Sequence, residues 1–508
     1  MKAVGLITEY NPLHNGHIFH LNRSMELSGA EVSVAVMSGD FAQRGEPAIV
    51  DKYTRARMAV DCGVNLVVEL PVRFALGSAE KFATGGILTL NALSVENVAF
   101  GSESGSIRDL DYVADVLASE PDKYQLALKK ELKTGVSFPV ARENAIQSLN
   151  IMDKDTLHAL LSSPNNILGL EYLKAIKRNA CPITAYTYKR EGMAYNAVFP
   201  EDMEDGEFGP AEGGYKDYSN LTDENIYSAD GHTLLASSEA LRREIRRYYY
   251  EMDELSLMED YEDRDGYDDQ IFKNNEILQN VIKFIPEPAV DTLFGAMDVN
   301  MPVYKEDFNE IFNTNMRRIL KEAGYNKRVA ADMICDYEGA TETLANRIIN
   351  KYDKFYDITE FIEEVKDKSN TYKAISRVIF HIILDHKTKD AVAAPEIKLT
   401  EIDGMKIYSP DDDYYDASVF SANENTAVPY VRILAMDEKG QEYLNSIKKT
   451  CPVPIITKTA GYEDLLKDDI YAADIYNLAV WKVFGNEITG EFQKGIYIKG
   501  QGFTGSEA

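Results

Sequence analysis

The sequence predicts an α/β fold whose N-terminal part is built on a parallel sheet. Apolar, β-prone runs alternate with helical patterns over residues 1 to about 105, which is typical of a parallel sheet covered by helices on both faces. A mostly helical stretch follows, and β-like runs return after residue 428. With 508 residues the chain is long enough for about two to four domains.

Four apolar runs are expected to be the first strands of this sheet. The strands are Ala3–Ile7, Glu31–Met37, Val64–Leu70 and Asn97–Phe100, and the helices between them are Gly16–Leu27, Val50–Cys62 and Ser78–Leu93. Ligands of parallel sheets bind outside the carboxyl ends of the strands. Residues that directly follow the strands are therefore expected to line one crevice. They are Glu9, Asn11, Ser38, Asp40 and Gly101.

The remainder of the chain is predicted to add helices, further strands and acidic stretches. Residues 106–180 are expected to be helical, with a turn at Ser162–Asn166 and a helix at Ile167–Arg178, and a strand is expected to follow at Ile183–Tyr188. Residues 199–230 and 251–270 are acidic, residues 271–390 are expected to be helical, and residues 391–415 are expected to form a connection. The last strands are expected at Tyr430–Ala435 and Val453–Ile456, with a helix between them at Gly440–Lys449. These patterns divide the chain into an N-terminal region (1–250), a helical region (271–390) and a small C-terminal α/β region (391–508).

The composition is typical of a folded protein that does not enter a membrane. Hydrophobic residues make up 45% of the chain and charged residues 27%, which is enough apolar material for a core. No run approaches the roughly 20 uninterrupted apolar residues of a membrane span, and the N-terminal apolar run is too short for a signal peptide. We therefore expect a cytoplasmic protein with no membrane partner.

Charge and cysteine content exclude some classes of function. The formal net charge of −29 argues against general, nonspecific affinity for nucleic acid. A local basic surface is nevertheless compatible with this net charge. The four cysteines are far apart in the sequence and form no CxxC pair. Reduced thiols are therefore expected, and neither a disulfide framework nor a zinc cluster is indicated.

The most informative stretch is at the N-terminus, where the first predicted strand leads into His14-Asn15-Gly16-His17. A strand, a turn and a helix N-terminus form an anion site, because backbone N–H groups and the helix dipole point at the ligand. Two imidazoles three residues apart add donors for phosphate oxygens, and Gly16 lets the backbone approach a ligand closely. We expect a nucleoside triphosphate site here, with His20 flanking it; a capping turn with incidental histidines is the alternative.

Two cations on a predicted helix are candidates for the same site. Lys52 and Arg55 lie three residues apart on one helix face, after a crevice-side loop that carries Asp40. Cations in this position suit phosphate or carboxylate groups. The alternative is an ordinary solvated helix face.

Two later segments supply further polar candidates. Ser237 and Ser238 precede Arg242 at a predicted helix start, where hydroxyl and guanidinium groups suit phosphates; an ordinary capped helix is the alternative. Asn165 lies in the sequence SPNNILG, and Arg190 follows it after 25 residues. Paired amides suit a purine edge or a ribose, and a purely structural turn is the alternative.

These motifs resemble those of one superfamily and, within it, one family. The HNGH sequence resembles the histidine motif of the HIGH-type nucleotidyltransferase superfamily, in which two histidines stabilise charge on the α-phosphate as pyrophosphate leaves. Nearly the whole chain resembles, in order, the bacterial tRNA(Met) cytidine acetate ligase family. The motifs that carry this resemblance are GLITEYNPLHNGH, AVMSGDFAQRGEPAIVDKYTRARMA, FGSE, SPNNILGLEYLKA, KDKSNTYKAISRV and YVRILAMDEKG.

This resemblance implies a fold, an activity and a set of contacts. The expected fold is a Rossmann-like nucleotidyltransferase domain, a helical domain and a small C-terminal α/β element. The implied enzyme uses ATP to make acetyl-adenylate and then acetylates N4 of the wobble cytidine of elongator tRNA(Met). We expect Mg²⁺ to accompany the nucleotide, although the sequence shows no clear metal-ligand cluster. The implied catalytic residues are His14, His17 and Asp40. The implied ATP contacts are Ile7, Thr8, Glu9, Tyr10, Asn11, Pro12, Leu13, His14, Asn15, Gly16, His17, Ile18, Phe19, His20, Gly101, Asn165 and Arg190, and a second signature of the superfamily implies phosphate contacts from Ser237, Ser238 and Arg242. Lys52 and Arg55 are further candidates for phosphate contacts because of their charge and spacing.

Two positions depart from the family pattern. Leu13 stands where an aromatic residue is usual after the proline, and Glu239 stands where a threonine is usual. A carboxylate near phosphates repels them, so Glu239 puts the phosphate role of its segment in question.

A tRNA-binding enzyme with this net charge needs a local basic surface. The best basic and aromatic cluster in the sequence consists of Lys366, Lys368, Tyr372, Lys373 and Arg377. Such a cluster suits contacts to the RNA backbone together with base stacking. A charge cluster at a helix start is the alternative.

Two other functions remain open at this point. A small-molecule adenylyltransferase would share the histidine motif but would not need the helical domain and its basic cluster. A non-catalytic tRNA-binding protein would not need the paired histidines.

Overall fold

The computed structural model describes residues 1–190, 237–258, 277–297, 299–367, 370–388, 400–402, 405–408, 415–416, 428–486 and 489–504. The predicted acidic stretch at residues 199–230 and the candidate Lys368 lie outside these ranges. The N-terminal elements are β1 Ala3–Thr8, α1 Asn15–Ser28, β2 Val32–Ser38, β3 Phe41–Ala42, β4 Glu46–Pro47, α2 Lys52–Asp61, β5 Leu66–Leu70, α3 Val72–Ala75, α4 Ala79–Ala92 and β6 Asn97–Ser102.

Helices dominate the middle of the chain. In this part, the helices before strand β7 are α5 Ile107–Ser119, α6 Asp122–Leu132, α7 Phe138–Gln147, α8 Lys154–Ser162 and α9 Pro164–Arg178, and β7 is Thr184–Lys189. The elements after β7 are α10 Ser238–Met258, α11 Glu287–Ala296, a 3-10 turn at Lys305–Phe308, α12 Asn309–Glu322, α13 Lys327–Ile334, α14 Glu342–Lys351, α15 Ile358–Val365 and α16 Tyr372–Ile383. The last elements are β8 Thr400–Ile402, β9 Met405–Tyr408, β10 Tyr415–Asp416, β11 Val431–Met436, α17 Glu438–Ile447, β12 Ile455–Ile456, α18 Glu463–Phe484, β13 Tyr497–Ile498 and β14 Gly502–Phe503.

The main sheet has nine strands, eight of which run in the order β14-β13-β11-β5-β2-β1-β6-β7, and β12 also pairs with β11. Strands β5, β2, β1, β6 and β7 are mutually parallel, and β11 runs antiparallel to β5. The predicted α/β fold with a parallel N-terminal sheet is therefore confirmed. The strand residues alternate little in polarity because both sheet faces are covered, and every residue of β2 and β5 is buried.

Helix start signals explain several boundaries of the N-terminal region. The Asp51 carboxylate accepts hydrogen bonds from the N–H groups of Tyr53 and Thr54 at the start of α2. Ser78 caps α4 and Ser106 caps α5 in the same manner. Such caps satisfy N–H groups that the first turn of a helix leaves without partners.

Some boundaries differ from the sequence-based expectation. The expected turn at 162–166 is reduced to Ser163, because Pro164 occupies the first helical position of α9, where its missing N–H costs nothing. Helix α10 continues to Met258, beyond the start of the acidic stretch at residue 251. The expected connection at 391–415 contains the short strands β8 and β9, and the long helix α18 was not anticipated.

The helical region shares its core with both ends of the chain. Phe41 of β3 and Val72 of α3 pack into the same apolar cluster as Phe308, Ile348 and other residues of the middle helices, and α18 adds Tyr476. The C-terminal segment likewise does not stand apart from the N-terminal sheet, because β11 pairs with β5. None of the helices described is long and apolar enough to cross a membrane.

A buried ionic cluster joins the C-terminal segment to the sheet. Lys52 Nζ lies 2.9 Å from Glu69 Oε1, 3.4 Å from Glu491 Oε1 and 3.6 Å from Asp40 Oδ2. Arg432 of β11 lies 3.1 Å from Glu69 Oε2 and also contacts Glu491. Burial disfavours both cations, yet the surrounding carboxylates outweigh it and raise the pKa values of Lys52 and Arg432. The cluster holds because each charge has an opposite charge beside it.

Replacing Arg432 by Met should destabilise the protein strongly. The substitution leaves the buried carboxylates of Glu69 and Glu491 with Lys52 as their remaining cation, and breaking such a cluster costs about 3–5 kcal/mol of the free energy of unfolding. Arg23→Met is the matched control, since its pair with Glu26 is exposed on α1 and should cost less than about 1 kcal/mol. Urea denaturation of both variants measures the difference; equal midpoints would contradict a structural role for the cluster.

Candidate active site

The crevice at the carboxyl ends of β1 and β2 is organised by the start of α1. His14 is the residue that caps this helix, with extended backbone angles of φ −147° and ψ 171°. Its Nδ1 accepts a hydrogen bond of 3.0 Å from the N–H of Gly16. The N–H of His14 in turn donates to Nδ1 of His17 over 3.2 Å. The two histidines therefore form a reciprocal capping pair at a helix N-terminus.

These two hydrogen bonds determine the tautomer of each ring. A neutral imidazole carries one proton, and a nitrogen that accepts a backbone N–H cannot carry it. Both protons are therefore on Nε2, and both Nε2 atoms are donors. The rings lie close together, with centroids 3.9 Å apart. His14 Nε2 lies 3.1 Å from Ser238 Oγ, so it donates to that hydroxyl.

The electrostatic environment keeps the rings neutral. Burial lowers the pKa of His14 to about 3, and the charge of Arg190 lowers it in the same direction. Burial likewise lowers the pKa of His17 well below its usual value, and the neighbouring histidines and Arg190 add to this effect. His20 behaves similarly, with a pKa of about 4. The candidate site thus presents neutral donors, which suit oxyanion stabilisation better than proton transfer.

Helix α10 brings a second helix N-terminus to the same place. The Ser237 Oγ accepts a hydrogen bond of 3.1 Å from the N–H of Ala240 and so caps the helix, as the sequence predicted. The next residue is Ser238, which contacts His14. Two helix N-termini therefore meet at His14, and both favour a bound anion.

The departure at Glu239 is compensated by a nearby cation. Arg44 NH1 lies 2.6 Å from Glu239 Oε2 in a partly buried ion pair. The pair neutralises the carboxylate that would otherwise repel phosphates. The sequence spacing could not reveal it, because the two residues are 195 positions apart.

A second set of predicted residues gathers near the histidines, where the Arg190 charge lowers their pKa values. Arg190 donates a hydrogen bond of 2.8 Å to Oδ1 of Asn165 at the start of α9. A Cβ atom on Gly101 would lie 2.9 Å from Cγ of Arg190, so a larger residue here would have to displace the Arg190 side chain. The Glu103 carboxylate accepts from the N–H of Asn166 over 2.8 Å and from Nδ2 of Asn165 over 2.7 Å. Glu103 was missed by the sequence analysis, because its partners lie 62 and 63 residues away.

Lys52 and Arg55 do not take the phosphate-binding positions expected of them. Lys52 is 1% exposed and is neutralised by the buried ionic cluster. Arg55 is 0% exposed, and its guanidinium donates to the carbonyl oxygens of Glu9 (2.7 Å), Ser38 (3.0 Å), Val50 (2.9 Å) and Gly39. Arg55 therefore ties together the loops that follow β1 and β2, which is a structural role.

Asp40 and Arg242 are likewise committed to internal contacts. Asp40 Oδ1 accepts from the N–H of Lys52 over 2.9 Å, and burial raises the pKa of this carboxyl despite the nearby Lys52 charge. Arg242 is buried and donates to Oδ1 of Asn11 over 2.8 Å, with its guanidinium 5.8 Å from the ring centroid of Tyr304. These contacts favour a loop-anchoring role for Asp40 and not a catalytic one. They favour the same anchoring role for Arg242 and not direct contact with phosphate.

The N-terminal segment 7–20 divides into structural and site-facing residues. Tyr10 and Leu13 are buried in the core, and Asn11 Oδ1 also accepts from the N–H of Ile49 over 2.7 Å. The Glu9 carboxylate accepts from the N–H of Gln43 over 2.7 Å. The family-implied contacts of these residues with ATP stay predictions. They come from the resemblance and not from a bound ligand.

The basic cluster predicted for tRNA is mostly paired or covered. Lys366 Nζ lies 2.7 Å from Glu363, which neutralises it. Tyr372 is only 8% exposed, and the Lys305 ammonium lies 4.4 Å from its ring centroid, so this ring cannot stack on a base. Arg377 donates towards the carbonyl of Gln43 over 3.4 Å. This surface therefore packs against the β3–β4 loop and gives little support to the predicted RNA contact.

The comparisons with known proteins agree with the site geometry. A family model described as HIGH nucleotidyl transferase matches residues 1–204, 268–406 and 414–488. The chain is 32% identical to the tRNA(Met) cytidine acetate ligase of Thermoanaerobacter sp. strain X514 over 94% of this chain and 96% of that protein. It is also 32% identical to the tRNA(Met) cytidine acetate ligase of Acetivibrio thermocellus, over 98% of this chain and 100% of that protein.

A solved structure has the same overall fold. The crystal structure of Thermotoga maritima TmcAL bound with alpha-thio ATP superimposes with a TM-score of 0.70 at 25% identity, over 96% of this chain and 97% of that one. The apo form of the same protein gives a TM-score of 0.70 at 26% identity.

Acidification should destabilise the protein through the buried histidines. Their pKa values are lowered on folding, so between about pH 4 and pH 6.5 the unfolded chain binds more protons. The free energy of unfolding therefore falls as the pH drops through this window, by up to about 1.4 kcal/mol per pH unit for each histidine. Urea denaturation at several pH values measures this slope. His20→Gln should flatten it, whereas His158→Gln, at an exposed histidine, should not; equal slopes in all three proteins would refute this explanation.

Proposed function

Because the chain belongs to the HIGH nucleotidyl transferase family and is a ligase of the tRNA(Met) cytidine acetate ligase family, we propose that it acetylates elongator tRNA(Met). In this proposal ATP activates acetate as acetyl-adenylate, and the acetyl group passes to N4 of the wobble cytidine. The observation that carries it is the pair of neutral Nε2–H donors of His14 and His17 at a helix N-terminus.

The first chemical step forms the mixed anhydride. An acetate oxygen attacks the α-phosphorus of ATP, the bond from phosphorus to the bridging oxygen breaks, and pyrophosphate leaves with the electron pair. Negative charge grows on the non-bridging oxygens, where His17 donates a hydrogen bond and His14 donates once a phosphate oxygen replaces Ser238 Oγ as its acceptor. Each such donor is worth about 10²- to 10³-fold in rate when it is held in place before the reaction. The capping hydrogen bonds supply this preorganisation.

The second step transfers the acetyl group. The cytidine amine attacks the acetyl carbonyl, AMP leaves, and the amine loses a proton. No covalent enzyme intermediate is required, because holding the amine beside the anhydride supplies most of the acceleration.

The two halves of the crevice suit the two ends of ATP. The triphosphate belongs beside the N-termini of α1 and α10, which both favour anions. The amide of Asn165, held by Arg190 and Glu103, suits the nucleoside end. Mg²⁺ accompanying the triphosphate stays a prediction; in the described part of the chain, no group of three or more His, Cys, Asp or Glu is placed to hold a metal ion.

The central experiment follows label from acetate. The protein is incubated with ATP and labelled acetate, with and without elongator tRNA(Met), and AMP and labelled tRNA are measured. We expect acetate-dependent AMP formation and label in the tRNA on cytidine N4. AMP formation that does not depend on acetate would refute the ligase.

The variant His14→Asn should separate capping from catalysis. Asparagine is a strong helix cap, so the free energy of unfolding should change by less than about 0.5 kcal/mol, whereas His14→Ala loses the cap and costs about 1 kcal/mol. Neither variant keeps the Nε2–H donor, so both should lose about 10²- to 10³-fold in acetate-dependent pyrophosphate exchange. Full exchange activity in His14→Asn would remove His14 from the proposed mechanism.

A further inference from the structure

The connection between α12 and α13 is a basic surface in an acidic protein. Residues 317–328, named here the basic turn, contain five basic residues and one acidic residue, whereas the whole chain has 54 basic and 83 acidic residues. The basic members are Arg317, Arg318, Lys321, Lys327 and Arg328. Local positive charge of this kind is the electrostatic requirement for binding a polyanion.

Most of these cations have no carboxylate partner. Arg318 lies 3.5 Å from Asp385, but Lys321, Lys327 and Arg328 are exposed and form no ion pair with any residue that the structure describes. Arg317 donates to Asn313 in the preceding helical turn, and its guanidinium lies 6.0 Å from the ring centroid of Tyr352. These charges remain available to an external ligand, unlike that of Lys366.

An exposed aromatic ring sits in the middle of the basic turn. Tyr325 is 75% exposed, more than any other large hydrophobic side chain among the described residues. Its φ angle is +60°, a conformation that residues other than glycine rarely adopt, and Gly324 before it has the same φ. The next residue, Asn326, caps α13 by accepting from the N–H of Arg328 over 3.0 Å. The turn therefore holds the tyrosine outwards between α12 and α13.

An exposed aromatic ring with unpaired cations before and after it in the chain matches the chemistry of unpaired RNA. Bases without partners stack on tyrosine, and lysine and arginine bind the phosphates beside them. The hairpin of α6 and α7 also carries unpaired lysines and one exposed aromatic ring, Phe138, which is 55% exposed. The Tyr325 ring is more exposed, and the cations that follow it, Lys327 and Arg328, form no ion pair with any described residue, whereas Arg142 after Phe138 lies 3.7 Å from Glu171. The basic turn is therefore the better candidate.

We propose that the basic turn is a docking site for a single-stranded loop of the tRNA substrate, with Tyr325 stacking on a base. This proposal rests on the proposed function, and it places the RNA contact at α12–α13 and not at the cluster of residues 366–377. The opposite end of α12 follows the 3-10 turn Lys305–Phe308, next to Tyr304 and Arg242 at the crevice. A helix of 14 residues spans about 21 Å, so the two places lie on the order of 20 Å apart. A polynucleotide can span that distance, whereas a small-molecule substrate cannot.

The test measures binding of elongator tRNA(Met) to the full chain by fluorescence anisotropy at several salt concentrations, without ATP or acetate. Tyr325→Gly removes the ring and suits the positive φ, so the fold is retained; binding should weaken about 10-fold. Tyr325→Phe keeps the stacking face and should bind within about 2-fold of the unmodified protein. The triple variant Lys321→Ala, Lys327→Ala, Arg328→Ala should reduce the slope of log Kd against log salt by about 2.

Two controls keep this test separate from that of the proposed function. The matched variant Lys129→Ala, Lys130→Ala, Lys133→Ala removes three lysines from the α6–α7 hairpin and should leave tRNA binding unchanged. Acetate-dependent pyrophosphate exchange, which needs no tRNA, should be normal in the Tyr325 variants. Unchanged binding in Tyr325→Gly, or a greater loss in the hairpin variant, would overturn the docking site. Absence of acetate-dependent exchange in the unmodified protein would instead refute the proposed function.

Discussion

The capping of α1 by a histidine is the constraint on which the site depends. A helix must satisfy its first N–H groups, and here His14 Nδ1 does so by accepting from Gly16. The N–H of His14 donates in the same way to Nδ1 of His17, so this nitrogen also carries no proton. The other nitrogen of each ring must therefore be a protonated Nε2, and that of His14 donates to Ser238 Oγ. Local folding energy and the chemistry proposed for the crevice are served by the same two side chains.

The rest of the chain holds this arrangement in position from both sides. Arg55 connects the loops after β1 and β2 through backbone carbonyls, so the crevice walls are tied by hydrogen bonds that need no bound ligand. The antiparallel pairing of β11 with β5 brings Arg432 into the cluster that neutralises Lys52. In the same cluster the Glu491 carboxylate, from near the other end of the chain, lies 3.4 Å from the Lys52 ammonium.

The sequence predicted well what depends on neighbouring residues. The strands of the N-terminal sheet, the helix after HNGH and the cap at Ser237 follow from local periodicity and capping chemistry, and each is present. Interactions between distant residues escaped prediction, because spacing does not report them: the Arg44–Glu239 pair, the cap of α9 by Glu103 and the burial of Tyr372. Lys52 and Arg55 show the main error, since the helix face that carries them points into the protein. Burial decides whether a basic residue serves a ligand or the fold.

The protonation state of the two histidines is the central claim, and NMR of the full chain with ¹⁵N-labelled histidine tests it most directly. Seven histidines give few signals, and His14→Asn identifies one of them. The ring nitrogen shifts at pH 7 should show neutral Nε2–H tautomers for His14 and His17, unchanged down to about pH 5. A protonated imidazolium or an Nδ1–H tautomer at pH 7 would contradict the account.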